Sequence, residues 1–390
     1  MLRTAQEDII RATAPVVAEH LDAITARFYP LMFARYPQVM PLFNQTHQKN
    51  GQQPRALARM VLAYVQLRSS PEKARETLAI VVDKHVSLNI QPEHYPIVGE
   101  CLLAAIAEVL GDTVTPEIAD AWGALYQELA DLLIELEAER YDAFAAAPGG
   151  WRGTRLFRIA DIRQESCVIR SFRLEPEDGG AVAAHLPGQY IGVKLIIDGE
   201  PVYRHYSLSD VPDGRSYRVS IKREPEGVAS RYFHDCMETG KTLELLPPAG
   251  NLTLSGEQEA LMLISGGVGQ TPLLPIAKQA LQQGREVIYL HAALDARHHA
   301  FADTLAELHQ AYPDHLSVVT VYENDDSGDH QGRIDQSLLA EYLPSQEARC
   351  YFVGPHGFMA AVNRSLKSLG VAADRRHFEH FGPESTLEAA

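Results

Sequence analysis

The chain has 390 residues, 46% hydrophobic and 22% charged, with a formal charge of −16 at pH 7. A single core stops growing at roughly 250 to 300 residues, so two or three domains are expected, and the composition excludes the disordered and fibrous classes. The acidic balance, with no lysine or arginine block, argues against nucleic acid or an anionic membrane as partner and leaves small molecules.

No apolar run approaches the ~18 residues of a membrane span, and the first residues lack the basic and apolar parts of a signal peptide, so a cytoplasmic protein with no integral membrane association is expected. Cys101, Cys167, Cys236 and Cys350 lie far apart with no C-x-x-C pair, which suggests neither a zinc site nor a disulfide framework.

Residues 1–146 read as helix, with apolar positions three and four apart. Ser70-Pro71-Glu72 and Thr115-Pro116-Glu117 each offer an N-cap, a proline at the first helical position and an acid in the first turn. The second helix carries Ile118, Trp122, Leu125, Leu129, Leu132 and Leu136 on one stripe. After an Ala-Ala-Ala-Pro-Gly-Gly linker the period becomes alternating, and residues 151–256 hold short strands broken by Asp178-Gly179-Gly180 and Asp198-Gly199. This pattern predicts a small antiparallel β-barrel with one short helix near Arg231 to Met237. In residues 258–390, apolar runs at Leu261–Ile264, Val287–Leu290, Val318–Val321 and Tyr351–Val353 alternate with helical segments, the pattern of a doubly wound α/β domain. Glu323 to Gly332 reads as a surface loop.

Within the helical segment, Leu78, Val81, Val82 and His85 fall at i, i+3, i+4 and i+7, which turns His85 inward. An inward histidine alone is more often a core residue bonded to a carbonyl. Tyr29 in Arg-Phe-Tyr-Pro, Phe43 in Pro-Leu-Phe-Asn, Gln53, and Lys84-His85 stand at separations that resemble the globin family. The resemblance implies haem b ligated by His85, with Phe43 wedging the porphyrin and Tyr29 and Gln53 lining the ligand pocket. Pro54 restricts the backbone beside Gln53. Tyr95 in His-Tyr-Pro-Ile and Glu137 in Leu-Glu-Ala-Glu-Arg-Tyr match a pair that flavohaemoglobins place behind the proximal histidine. A carboxylate there would raise the basicity of the imidazole, and a tyrosine hydroxyl at Tyr29 could donate to bound dioxygen. Without that match nothing separates Glu137 from Glu135 or Glu139.

In the barrel segment, Arg204-His205-Tyr206-Ser207 resembles the R-x-Y-S flavin motif of the ferredoxin-NADP reductase family, with Tyr190 of Pro-Gly-Gln-Tyr ahead of it. An arginine can pair a flavin phosphate, an aromatic can lie on the ring and a serine can reach its redox-active nitrogen. Gly227 and Ser230 open a short helix whose free N–H groups suit a pyrophosphate, favouring FAD over FMN. Further on, Gly267-Val268-Gly269-Gln270-Thr271-Pro272 resembles the G-x-G-x-T-P nicotinamide motif of the same family, and His380-Phe381-Gly382-Pro383 its terminal flavin-facing strand. Lys84 and Glu379 match positions that in flavohaemoglobins lie between flavin and haem. Asp295 and Arg297 follow the second strand with opposite signs, so NADH and NADPH stay open.

Together these motifs make the chain resemble the flavohaemoglobin family over nearly its whole length: an all-α globin, then an antiparallel β-barrel FAD domain, then a doubly wound α/β NAD(P)-binding domain. The resemblance implies a nitric oxide dioxygenase, in which NAD(P)H, O2 and nitric oxide are the partners, nitrate is the product and a monomer is expected; whether lipid also occupies the haem pocket is left open by the sequence. A haem-based sensor of O2 or nitric oxide, an alkyl hydroperoxide reductase, and a reductase whose helical segment only docks an electron acceptor are the alternatives.

Overall fold

The computed structural model describes residues 2–43, 54–255 and 258–381. Gln53, Gly382 and Pro383 lie outside them. The chain divides into two compact units, the first holding Met1–Ala145 and the second most of the remainder.

The first unit is helical. Helices α1 (Thr4–Glu19), α2 (Leu21–Arg35), α3 (Pro54–Leu67), α4 (Pro71–Val86), α5 (His94–Leu110) and α6 (Pro116–Ala146) enclose one apolar core. Proline opens α4 and α6 as expected, because its fixed φ suits the first turn and its missing N–H costs nothing there. The expected Ser70 cap does not form: its side chain makes no capping hydrogen bond, and its carbonyl instead accepts from Ala74. Thr115 does reach the N–H of Ile118, at 3.4 Å. On α6 the buried face is Trp122, Leu125, Tyr126, Leu129, Leu133 and Glu137, while Ile118, Leu132 and Leu136 are half-buried. The core-facing stripe is thus rotated from the one the leucines alone suggest.

The second unit opens with a six-stranded sheet in the order β4-β3-β6-β1-β2-β5. Its strands are β1 (Arg155–Gln164), β2 (Ile169–Pro176), β3 (Tyr190–Ile197), β4 (Glu200–Ser207), β5 (Tyr217–Lys222) and β6 (Thr242–Ala249). β1, β2, β3, β5 and β6 pair antiparallel. An antiparallel bridge between Leu208, just past β4, and Val219 on β5 joins the two edges, as closure into a barrel requires. Helix α7 (Val228–Cys236) begins three residues earlier than the expected Arg231, where Gly227 supplies the extended N-cap.

A parallel sheet follows in the order β10-β9-β8-β7-β11-β12. It contains β7 (Leu261–Gly266), β8 (Val287–Ala293), β9 (Leu316–Tyr322), β10 (His330–Gln331), β11 (Arg349–Val353) and β12 (Arg376–Phe378). Helices α8 (Gln270–Gln282) and α9 (Ala302–Ala311) cover one face, and α10 (Gln336–Tyr342) and α11 (His356–Ser368) the other. Sheets buried on both faces need continuous apolar strands, and β7 is buried throughout. The segment expected as a loop from Glu323 to Gly332 ends in β10, which His330 pairs onto β9. The Asp329 carboxylate turns it there, accepting from the N–H and hydroxyl of Thr320, each at 2.8 Å.

Candidate functional site

His85 stands in the last turn of α4. Its Nδ1 lies 2.7 Å from Oε1 of Glu137 on α6 and 3.0 Å from the hydroxyl of Tyr95 on α5, and Tyr95 donates to the same carboxylate oxygen. A carboxylate only accepts, so the ring proton sits on Nδ1 and the lone pair stays on Nε2. Among the described residues nothing hydrogen-bonds Nε2, and the side chain is 29% exposed while that of Glu137 is 3% exposed. Burial, then the Glu137 charge, raises the Tyr95 pKa far above the ordinary phenol value, which keeps it a donor. Tyr126, unremarked in the sequence, braces this group by donating to the Tyr95 carbonyl at 2.8 Å, and its ring fills the place a side chain at Gly99 would take.

The structure separates Glu137 from its neighbours. Glu135 and Glu139 face outward and pair with Arg75, whereas Glu137 follows Leu129 and Leu133 at intervals of eight and four on the buried stripe. That interval becomes a signal only once Leu133, rather than Leu132, is known to face the core. Elsewhere in the unit the buried Tyr29 ring meets Phe28 edge-on at 4.7 Å and Phe43 at 5.7 Å, and Phe33, one turn along α2, bridges Tyr29 and Phe43. Burial also raises the Tyr29 hydroxyl above its ordinary pKa. Lys84 is half-buried beside His85.

These residues fit a haem. No cluster of three His, Cys, Asp or Glu side chains among the described residues is placed to hold a bare metal ion. A metal on Nε2 of His85 must bring its other ligands, as a porphyrin does.

In the second unit the tail of β4 carries Arg204 to Ser207. His205 packs on the Tyr190 ring at 4.9 Å, Tyr206 meets Phe233 of α7 edge-on at 5.4 Å, and Ser207 is buried. Burial lowers the Arg204 pKa. Gly250 has φ +109°, and a Cβ there would meet the Tyr190 ring at 2.8 Å and Glu379 Oε1 at 3.6 Å, which brings Tyr190 and Glu379 together. Ser230 turns back on its own loop, accepting from Glu224 N–H at 3.2 Å, and a side chain at Gly227 would collide with it. The helix end is thereby kept to bare backbone N–H groups, as a flavin pyrophosphate requires.

At the carboxyl edge of the parallel sheet the chain turns from β7 into α8 through Gly267, Val268 and Gly269. Gly267 has φ +54° with nothing within 4 Å of where a Cβ would stand, and a Cβ at Gly269 would collide with the Val353 carbonyl at the end of β11. The turn therefore lies against β11, at the switch point where doubly wound sheets bind dinucleotides. Gln270, Thr271 and Pro272 begin α8 and are buried, with the Thr271 hydroxyl donating to Val268 O at 2.9 Å. His380 stacks on His356, the first residue of α11, at 5.9 Å, and Phe381 is 46% exposed. Asp295 caps the turn after β8, taking the His298 N–H at 3.1 Å and Nδ1 at 2.6 Å. The His298 hydrogen bond is the largest cause holding its carboxyl down at about 2, and Arg297 beside it is exposed.

Three stretches match known families: globin over residues 26–133, an oxidoreductase FAD-binding domain over 157–254, and an oxidoreductase NAD-binding domain over 263–364. Over the full length of both chains, flavohemoproteins from Burkholderia and from Pseudomonas putida are each 48% identical. The chain belongs to the flavohemoprotein family. A flavohemoglobin from Malassezia yamatoensis, solved with bound FAD and heme, superposes on this flavohemoprotein with a TM-score of 0.86 at 30% identity. That match covers 98% of this chain and 100% of the other. The flavohem-like FAD/NAD-binding domain of nitric oxide dioxygenase from Vibrio cholerae is 37% identical, covering 59% of this chain and 99% of its own, with a TM-score of 0.55. Among the described residues no helix is long and apolar enough to cross a membrane.

Proposed function

We propose that this flavohemoprotein converts nitric oxide and O2 to nitrate with electrons from NAD(P)H, working as a cytoplasmic monomer whose domains run 1–146, 151–256 and 258–390. When bound, FAD turns a hydride into single electrons and haem b supplies the iron at which oxygen and nitric oxide are joined. The carrying observation is His85, held on Nδ1 by Glu137 and Tyr95 with Nε2 left for a metal, in one chain with FAD- and NAD-binding domains.

The chain's own residues divide the work. Glu137 fixes the His85 tautomer and makes the imidazole a stronger donor, which suits oxygen activation rather than storage. Tyr29, desolvated in its aromatic setting, is a hydrogen-bond donor for the ligand pocket, and Phe43 packs beside it; the flavohaemoglobin resemblance assigns Gln53 to the same role. Tyr190, Arg204, His205, Tyr206 and Ser207 receive the flavin, with Gly227 and Ser230 at its pyrophosphate and Glu379, His380 and Phe381 toward its ring. Gly267 to Pro272 receives the dinucleotide.

Joining one nitric oxide to one O2 as nitrate takes one electron, so each NAD(P)H supports two nitrates. The test is to give the purified holoprotein NADH or NADPH, oxygen and nitric oxide and to measure nucleotide consumed against nitrate formed. A ratio of one to two supports the proposal. Nucleotide oxidation that nitric oxide leaves unchanged, or nitrite as product, overturns it.

A further inference from the structure

Beneath the Gly267–Gly269 turn lies a buried polar chain. Ser265 at the end of β7 faces His291 of β8 across the parallel register. Its hydroxyl is 2.9 Å from His291 Nδ1 and 3.3 Å from the Leu290 carbonyl, and His291 Nε2 is 2.8 Å from the Gln270 amide nitrogen. Ser265, Gln270 and His291 are each fully buried. One assignment satisfies all three contacts: Gln270 donates to His291, His291 Nδ1–H donates to Ser265, and Ser265 donates to Leu290 O. This requires a neutral imidazole, and burial together with the adjacent His299 ring, 4.3 Å away, holds His291 neutral. His299 is itself pinned by Tyr322 of β9, at 2.8 Å from Nδ1.

The two ends of this chain bracket the glycine turn. Ser265 is the last residue before Gly266, and Gln270 is the first residue of α8. Glycine at Gly267, open on one side, gives the turn conformational freedom that a bound pyrophosphate would otherwise have to remove at binding. We infer that His291 is a positioning residue for the pyridine nucleotide: it ties the strand end to the helix start and so presets the backbone N–H groups of the turn for the pyrophosphate. Nothing in the sequence singled it out, since it is 22 residues beyond Gly269 and touches no part of the motif in the linear chain. The inference rests on the reading of Gly267 to Pro272 as the nucleotide turn.

The experiment uses the full holoprotein. His291→Phe keeps a ring of similar breadth and removes both hydrogen bonds; His291→Gln keeps a donor and an acceptor. NAD+ binding is measured by calorimetry, and KM and kcat for NADH with an artificial one-electron acceptor, beside flavin absorbance and thermal midpoint. His291→Phe is expected to raise Kd and KM about tenfold, the equivalent of one preset hydrogen-bonded link, with the loss falling on KM rather than kcat, and His291→Gln to recover part of it. An unchanged Kd beside a lowered midpoint makes the histidine purely structural and overturns the inference. Should His291→Phe fail to fold, Ser265→Ala and Gln270→Met each cut one link: a several-fold rise in Kd in both supports positioning, and wild-type values overturn it. Wild-type protein that binds neither NAD+ nor NADP+ would instead refute the nucleotide turn itself.

Discussion

Glu137 and Tyr95 converge on Nδ1 of His85, and the consequence is carried by the nitrogen they do not touch. Replacing the carboxylate with an amide in Glu137→Gln removes the charge that strengthens the imidazole but leaves the shape. The haem should stay bound while the iron–histidine stretching frequency falls in the vibrational spectrum, and the globin unit should lose about 1–3 kcal/mol through a poorly paired buried group. A frequency equal to wild type would remove Glu137 from this role. On the ligand side, Tyr29→Phe deletes one desolvated hydroxyl, so oxygen should dissociate about tenfold faster or more in flash photolysis. Unchanged dissociation would assign Tyr29 to packing alone.

Elements differ in how much of them the sequence made readable. Pro71 and Pro116 mark helix starts because proline's geometry is local, and the apolar runs of β7, β8, β9 and β11 mark buried strands because both faces must be covered. What stayed hidden is what depends on rotation or long range. The burial of Glu137 over Glu135 turns on the roll of α6, the Tyr126 brace on the missing side chain at Gly99, and the Ser265–His291–Gln270 chain on strand register. The β7–α8 turn is legible as a glycine motif, but what demands Gly269 is a long-range contact with Val353. A Cβ at Gly269 meets carbonyl backbone, which cannot swing aside as a side chain can. Gly269→Ala should therefore push the turn off β11 and cost roughly 1–3 kcal/mol, with nucleotide affinity falling at least tenfold in calorimetry. Wild-type affinity in that variant would place the nucleotide elsewhere.

For the whole molecule, acidity tests the buried histidines together. Folded His291 and His299 stay neutral, His299 being pushed down to about 4 by burial, while the unfolded chain takes a proton on each below about pH 6.5. Their contribution is full above that pH and is lost as acid carries the protein toward pH 4, on the order of 3 kcal/mol from His299 alone. The thermal midpoint of the FAD/NAD-binding unit should fall across that window, and His299→Phe should flatten part of the fall. A midpoint level from pH 7 to 4 would contradict the burial of these rings.

Delivery of nucleotide electrons to a histidine-ligated haem within one chain is the claim on which the rest stands, and one anaerobic mixing experiment addresses it. Purified holoprotein is mixed with NADH, or NADPH, while the flavin and haem bands are followed in time. Bleaching of the flavin followed by the spectrum of reduced haem is the expected course, and it should be lost in His85→Ala. A bleached flavin beside haem that stays oxidised, or purified protein with no haem spectrum at all, would contradict it.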